Sequence, residues 1–160
     1  MGMDSYFFTL EVKCALTPDT IRRAFENKYS VSKYSRPSGC LFKRRVVDDD
    51  RFVIDKKAVV DIASVQETIK VVFELCFSNF EHNLGYIFDV SKWVSSFGSE
   101  TKLTVLNSQC DFDMLDIDGF KAVINREYSE KLRLFRDEYG ETDEDILPHD
   151  FYDGKKRKRY

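Results

Sequence analysis

Histidine, proline and glycine are scarce: the 160 residues hold 2 His, 3 Pro and 7 Gly. So little glycine and proline excludes collagen-like and low-complexity chains. The glycines form neither the G-x-G-x-x-G fingerprint of dinucleotide sites nor a phosphate-loop G-x-x-x-x-G-K-[ST], and no G-x-S-x-G nucleophile elbow occurs. His82 and His149 leave little material for imidazole acid or base chemistry. No catalytic residue and no cofactor are therefore expected.

Cysteine never occurs as a Cys-x-x-Cys pair: Cys14, Cys40, Cys76 and Cys110 lie 26, 36 and 34 residues apart. Zinc ligands usually come in pairs separated by about two to four residues, and these thiols have apolar neighbours such as Leu41, Phe42, Leu75 and Phe77, so buried thiols are the expectation and a zinc site is not. Long apolar runs are also missing. The richest stretches, 71–77 and 86–90, are broken or bounded by Glu74, Asp89 and Lys92, far short of the ~20 residues that span a bilayer. Residues 1–5 lack the basic region and apolar core of a secretory signal, and Tyr6 stands where N-myristoylation needs Ser or Thr. The expectation is a protein of the reducing cytoplasm, with no membrane contact.

What is present is aromatic and charged. The chain has 14 Phe and 8 Tyr, 42% hydrophobic and 33% charged residues. That apolar content offsets chain entropy, and a chain of this length buries roughly 70% of its unfolded surface as one domain. We expect a single domain over 1–140 and a solvated tail over 141–160, acidic first and then basic.

Periodicity orders the elements. From Phe8, residues 6–14 alternate Phe8, Leu10, Val12 and Cys14 with Thr9, Glu11 and Lys13, which predicts a strand. Thr17-Pro18-Asp19 supplies an N-cap, a first-turn proline and a first-turn acid, so a helix is predicted over 18–29. Residues 35–39 read as a loop, and 40–47 and 51–54 as short strands joined by a polar Asp48-Asp49-Asp50 hairpin connection. Segment 58–77 is ambiguous. Ser64 to Glu67 has capping-box form, yet Ile69, Val71, Phe73, Leu75 and Phe77 alternate, and their β-branched and aromatic character favours a strand over 68–77. Asn79 opens a helix with a stripe of Phe80, Leu84, Ile87, Phe88, Ser91, Val94 and Phe97, stopped by Gly98. Residues 101–106 alternate as a strand. A last helix, opened by Asp116 or Asp118 and ended by Gly140, carries Phe120, Val123, Ile124, Tyr128, Leu132 and Phe135. The predicted fold class is α+β: a ferredoxin-like βαββαβ sandwich with extra hairpin strands and a C-terminal helix.

Two acidic groups and two basic ones remain as candidate chemistry. Asp111, Asp113, Asp116 and Asp118 form the densest carboxylate cluster, but aligning Gly119 with the EF-hand glycine places Met114 at the first ligand and Asn125 at the bidentate position, so the calcium-loop test fails and no metal is expected. Lys43, Arg44 and Arg45, with Arg22 and Arg23, read as solvated charges balancing nearby acids. The terminal Lys155, Lys156, Arg157, Lys158 and Arg159 present five consecutive cations that suit an acidic groove or a phosphate backbone. Outside those five, 20 basic side chains face 28 acidic ones, so the total of −3 conceals an acidic body joined to a basic end.

These features predict a non-enzymatic protein-interaction module whose acidic surface, Asp48, Asp49, Asp50, Asp111, Asp113, Asp116 and Asp118, meets a basic protein partner. Immunity proteins and antitoxins, which cover a toxin's active site, are the class it is expected to join. The alternative is a viral or phage nucleic-acid-associated protein that binds weakly through its basic tail. The sequence leaves the oligomeric state open.

Overall fold

Tyr6, Phe8, Leu10 and Val12 are buried, while Phe7 and Lys13 are exposed and Thr9 and Glu11 half-buried, as the alternation of β1 (Ser5–Lys13) requires. The computed structural model describes residues 5–38, 44–76 and 80–139. After β1 come α1 (Pro18–Lys28), β2 (Val31–Ser38), β3 (Arg44–Ile54), β4 (Ala58–Val65), β5 (Thr68–Cys76), α2 (Phe80–Ser95), β6 (Ser99–Val105), β7 (Ser108–Asp111), a 3-10 turn at Phe112–Met114 and α3 (Ile117–Tyr139). The architecture is mixed α+β. The seven strands form one antiparallel open sheet in the order β2-β3-β4-β5-β1-β6-β7.

The buried side chains of the sheet share one face, and the helices supply the rest of the core. Phe8 stacks on Phe73 at 5.2 Å and meets Phe120 of α3 edge-on at 5.9 Å; Phe25 of α1 meets Phe52 at 5.3 Å and Trp93 of α2 at 4.8 Å. Ile21, Leu84, Ile87, Val90, Val94 and Ile124 complete the same core. Such edge-to-face ring pairs contribute about 0.5–1.5 kcal/mol each beyond their burial.

Several predicted elements change. Residues 35–38 are not loop but the outer half of β2, an edge strand, where Pro37 costs no interior ladder bond. Asp48, Asp49 and Asp50 do not connect two strands; they lie inside a continuous β3, where the register jumps from Lys33↔Phe52 to Tyr34↔Asp48. The capping-box sequence at 64–67 is the β4–β5 turn, with Gln66 at φ 56°, and the strand reading of the following segment is the observed one as far as Cys76. β7 was not anticipated. Asn79, Gly140, residues 39–43 and residues 141–160 lie outside the described residues.

The β3–β4 turn offers a test of local strain. Asp55 and Lys56 both have positive φ, 47° and 56°, and Lys57 N–H donates to the Ile54 carbonyl at 2.8 Å, the pattern of a type I′ hairpin turn. An L side chain at Lys56 pays about 1–2 kcal/mol for that conformation, whereas glycine does not. Lys56→Gly should raise the unfolding free energy by about 0.5–1 kcal/mol, read as a higher urea midpoint at unchanged slope; a fall would show that the lysine side chain contributes more than its backbone strain costs.

Candidate interaction surface

The face of the sheet opposite the core carries a charge row that crosses four strands in register. Lys70 of β5 lies opposite Glu11 of β1, Glu11 opposite Lys102 of β6, and Lys102 opposite Asp111 of β7. Lys70 Nζ approaches Glu11 Oε1 at 3.6 Å and Lys102 Nζ approaches Asp111 Oδ2 at 3.5 Å. A second pair, Arg51 with Glu74 at 3.9 Å, spans β3 and β5, and Lys13 meets Glu100 at 3.8 Å where the row ends. Partly exposed pairs of this kind contribute only about 0–1 kcal/mol each, so their main effect is on register and on the pattern offered to solvent. Beside them, Glu11, Lys13, Glu67, Glu100 and Lys102 line a shallow concavity of about 520 Å³.

The Asp111 to Asp118 group sits at the β7 edge, and three of its four carboxylates accept backbone hydrogen bonds. Asp111 Oδ1 accepts from Asp113 N at 3.1 Å, Asp113 Oδ2 from Thr101 N at 3.2 Å, and Asp116 Oδ1 from Gly119 N at 2.7 Å. The Asp116 carbonyl also accepts the Phe120 N–H at 2.9 Å, so Asp116 rather than Asp118 caps α3. Asp118 lies in the first helical turn, where its charge suits the helix dipole. All four aspartates are exposed. They form a rigid acidic rim because backbone N–H groups hold three of the carboxylates. Among the described residues, no group of three or more His, Cys, Asp or Glu side chains is placed to hold a metal ion.

The other acidic group is elsewhere. Asp48, Asp49 and Asp50 belong to β3, five inter-strand steps from β7, a separation of roughly 24 Å at about 4.8 Å per step. The structure therefore does not bring the two predicted clusters into one patch. Asp49 contributes its carbonyl, which accepts from Arg22 Nη1 of α1 at 2.7 Å. Asp50 lines a notch of about 330 Å³ with Pro18, Asp19, Arg22 and Asp61. Lys155, Lys156, Arg157, Lys158 and Arg159 fall outside the described residues.

Sequence reasoning missed two polar arrangements. Glu127 of α3 is 6% exposed; its Oε1 accepts from Ser108 Oγ at 2.6 Å, which ties α3 to β7. Its charge adds to burial in pushing the Tyr6 phenol far above its ordinary range, and Tyr6 OH donates to the Ile124 carbonyl at 3.4 Å. Tyr86 OH donates to Asp55 Oδ2 at 2.7 Å and is raised by burial and by that carboxylate. Both phenols are hydrogen-bond donors across the physiological range, and their geometry is that of ties between elements. The helical stripe gave one signal for Glu127: it occupies a position between Ile124 and Tyr128 on the apolar side.

The thiols are partly as expected. Cys14 is buried, and half-buried Cys110 has its thiol pushed up chiefly by desolvation. No helix among the described residues is long and apolar enough to cross a membrane. No protein-family model, curated protein or solved structure matches this chain.

Proposed function

We propose that this protein is a non-enzymatic interaction module that engages a basic protein partner, in the manner of an immunity protein or antitoxin. The observation that supports the reading is the acidic rim at β7: four exposed aspartates within eight residues, three of them held by backbone N–H groups. Held carboxylates lose little side-chain freedom on binding, so they steer a cationic partner at low entropic cost. The adjoining charge row on the sheet face opposite the core gives the partner a surface with alternating signs to match. Within the same reading, the inner strands β6-β1-β5-β4 with α1 and α2 form a ferredoxin-like core, to which the β2–β3 hairpin, β7 and α3 are additions.

Replacing Asp111, Asp113, Asp116 and Asp118 together by asparagine keeps every backbone-capping oxygen and removes four charges. Immobilised wild-type protein should capture a basic partner from its native host, and the asparagine variant should associate with that partner at least ~10-fold more slowly at low salt. An unchanged association rate would reject the acidic rim as the docking surface. The alternative, a nucleic-acid-associated protein working through Lys155 to Arg159, predicts co-purifying nucleic acid that is lost when those five residues are removed.

A further inference from the structure

The β3–β4 ladder is shorter than either strand. β4 pairs with β3 only from Ala58↔Ile54 to Asp61↔Arg51, and the pairing stops where β3 carries Asp49, Asp50 and Arg51 as extra residues against β2. β5 accompanies β4 to its end, from Ile62↔Val71 to Val65↔Thr68. Among the described residues, Ile62, Ala63, Ser64 and Val65 therefore have a ladder neighbour on one side alone. In an antiparallel strand the N–H and C=O of one residue point to one side and those of the next to the other, so alternate residues of this stretch offer both groups to the open side. Natural sheets commonly blunt such an edge with lysine, proline or an inward-pointing charge. This one carries none of them, and Ala63, Ser64 and Val65 are exposed, Val65 to 54%.

A notch of about 330 Å³ stands at the head of this edge, where the β3–β4 ladder ends. Phe52 and Ile62 give it an apolar lining, and Asp19, Asp50 and Asp61 give it three carboxylates. Arg22 lines it too, but its guanidinium is already engaged. Nη1 donates to the Asp49 carbonyl at 2.7 Å, Nε lies 3.6 Å from Glu26 Oε1, and the group sits over the Phe52 ring, 5.2 Å from its centroid. Those contacts fix one wall of the notch and leave acid in excess among the described residues that line it.

We propose that β4 residues 62–65 and the adjoining notch form a strand-addition site: an extended segment of a protein partner joins the sheet beside β4 and seats a lysine or arginine side chain among Asp19, Asp50 and Asp61. Main-chain hydrogen bonds supply the affinity, and the notch supplies the selectivity for charge. A second copy of this chain is the poorer occupant, because edge-to-edge pairing would bring two acid-lined notches together. The site is four strand steps from β7, roughly 19 Å at about 4.8 Å per step, so it stands whether or not the Asp111 to Asp118 rim is a docking surface.

The probe is a displayed library of random peptides, each of about ten residues, selected on the immobilised full chain. Selected peptides should carry a lysine or arginine at one fixed position between β-branched residues. Fluorescence anisotropy of one selected peptide then reads three effects. N-methylation of alternate backbone nitrogens should abolish binding for one set and spare the other, because an added strand donates to β4 from every second residue only. Asp19→Asn with Asp61→Asn should weaken binding at least ~10-fold at an unchanged circular dichroism spectrum. Asparagine at Asp111, Asp113, Asp116 and Asp118 should leave the affinity as it is, which separates this site from the rim. A library that yields no cationic peptide, equal effects of the two methylated sets, or full affinity in the Asp19 and Asp61 double variant would each overturn the proposal. So would binding that appears only after Lys155, Lys156, Arg157, Lys158 and Arg159 are changed to glutamine, which would assign the edge to the chain's own basic run. A dimer of the free protein that the peptide dissociates would overturn it as well, in favour of a second copy.

Discussion

Phe8→Ala should lower the unfolding free energy by about 3–5 kcal/mol, a large part of the roughly 5–15 kcal/mol that holds a domain of this kind together. Phe8 is 1% exposed and joins three elements at once: it stacks on Phe73 of β5 and meets Phe120 of α3 from its own place in β1. Phe88 of α2 meets the same Phe120 at 5.4 Å, so the cavity would open where two helices share a support on the sheet. Rings fixed on three elements cannot close such a void by a simple rotation, and the residual cavity adds to the lost transfer energy. Phe7→Ala is the internal control. Phe7 is the preceding residue, yet it points to the other face and is 45% exposed, so its loss should cost under ~1 kcal/mol. Urea unfolding of the two variants measures the difference, and equal losses would mean that Phe8 does not face the core.

Gly98→Ala should be nearly as damaging for a different reason. A methyl group at Gly98 would lie 2.1 Å from the Lys13 carbonyl oxygen and 2.8 Å from Cys14 Cβ, so the α2–β6 connection or the end of β1 would have to move. Overpacking commonly costs about 1–3 kcal/mol, and the upper end applies because the opposing atom is backbone and has no rotamer to change. The same substitution at Gly85, in the middle of α2, should have the opposite sign. Nothing lies within 4 Å of a methyl group there, and alanine is favoured over glycine in a helix by about 1 kcal/mol. Thermal unfolding should therefore show Gly98→Ala shifted down and Gly85→Ala shifted up. A neutral Gly98→Ala would show that the joint has slack the structure does not contain.

The helices were legible because their signals are local. Thr17 caps α1 by accepting from Thr20 N at 3.3 Å, as its place before Pro18 and Asp19 implied. Leu84, Ile87, Ser91 and Val94 are buried on the stripe foreseen for α2, and Phe120 and Ile124 on that of α3. The outer strands were less legible. β2 contains Ser32, Ser35, Pro37 and Ser38, and β7 reads Ser-Gln-Cys-Asp, so neither shows clear apolar alternation. Edge strands are held by ladder hydrogen bonds to one neighbour, and a backbone bond leaves little mark on side-chain identity. In the sequence, Gly98 stands where the apolar stripe of α2 ends and so marks a helix stop. Its lack of a side chain is explained by the Lys13 carbonyl, which is distant in sequence.

The same division applies to the candidate surfaces. Asp111, Asp113, Asp116 and Asp118 were visible as a cluster because they are close in sequence, but helix chemistry left Asp116 and Asp118 as alternative caps, and the hydrogen bonds of Gly119 and Phe120 to Asp116 decide between them. That Asp48, Asp49 and Asp50 lie five strand steps away was not visible, nor was the charge row from Lys70 through Glu11 and Lys102 to Asp111.

By itself, the sequence determined which residues turn inward along β1, β5, α2 and α3, where the first helix begins, and that the basic run at 155–159 is opposite in sign to the rest of the chain. Those properties come from periodicity and side-chain chemistry within a few residues. Only the tertiary structure decided that β1 lies between β5 and β6, that the register of β2 on β3 shifts between Lys33 and Tyr34, and that β3 with its three aspartates lies five strand steps from the acidic rim at β7. Strand pairing is made by backbone groups that every residue carries, so the pattern of side chains states what is buried without stating beside which strand.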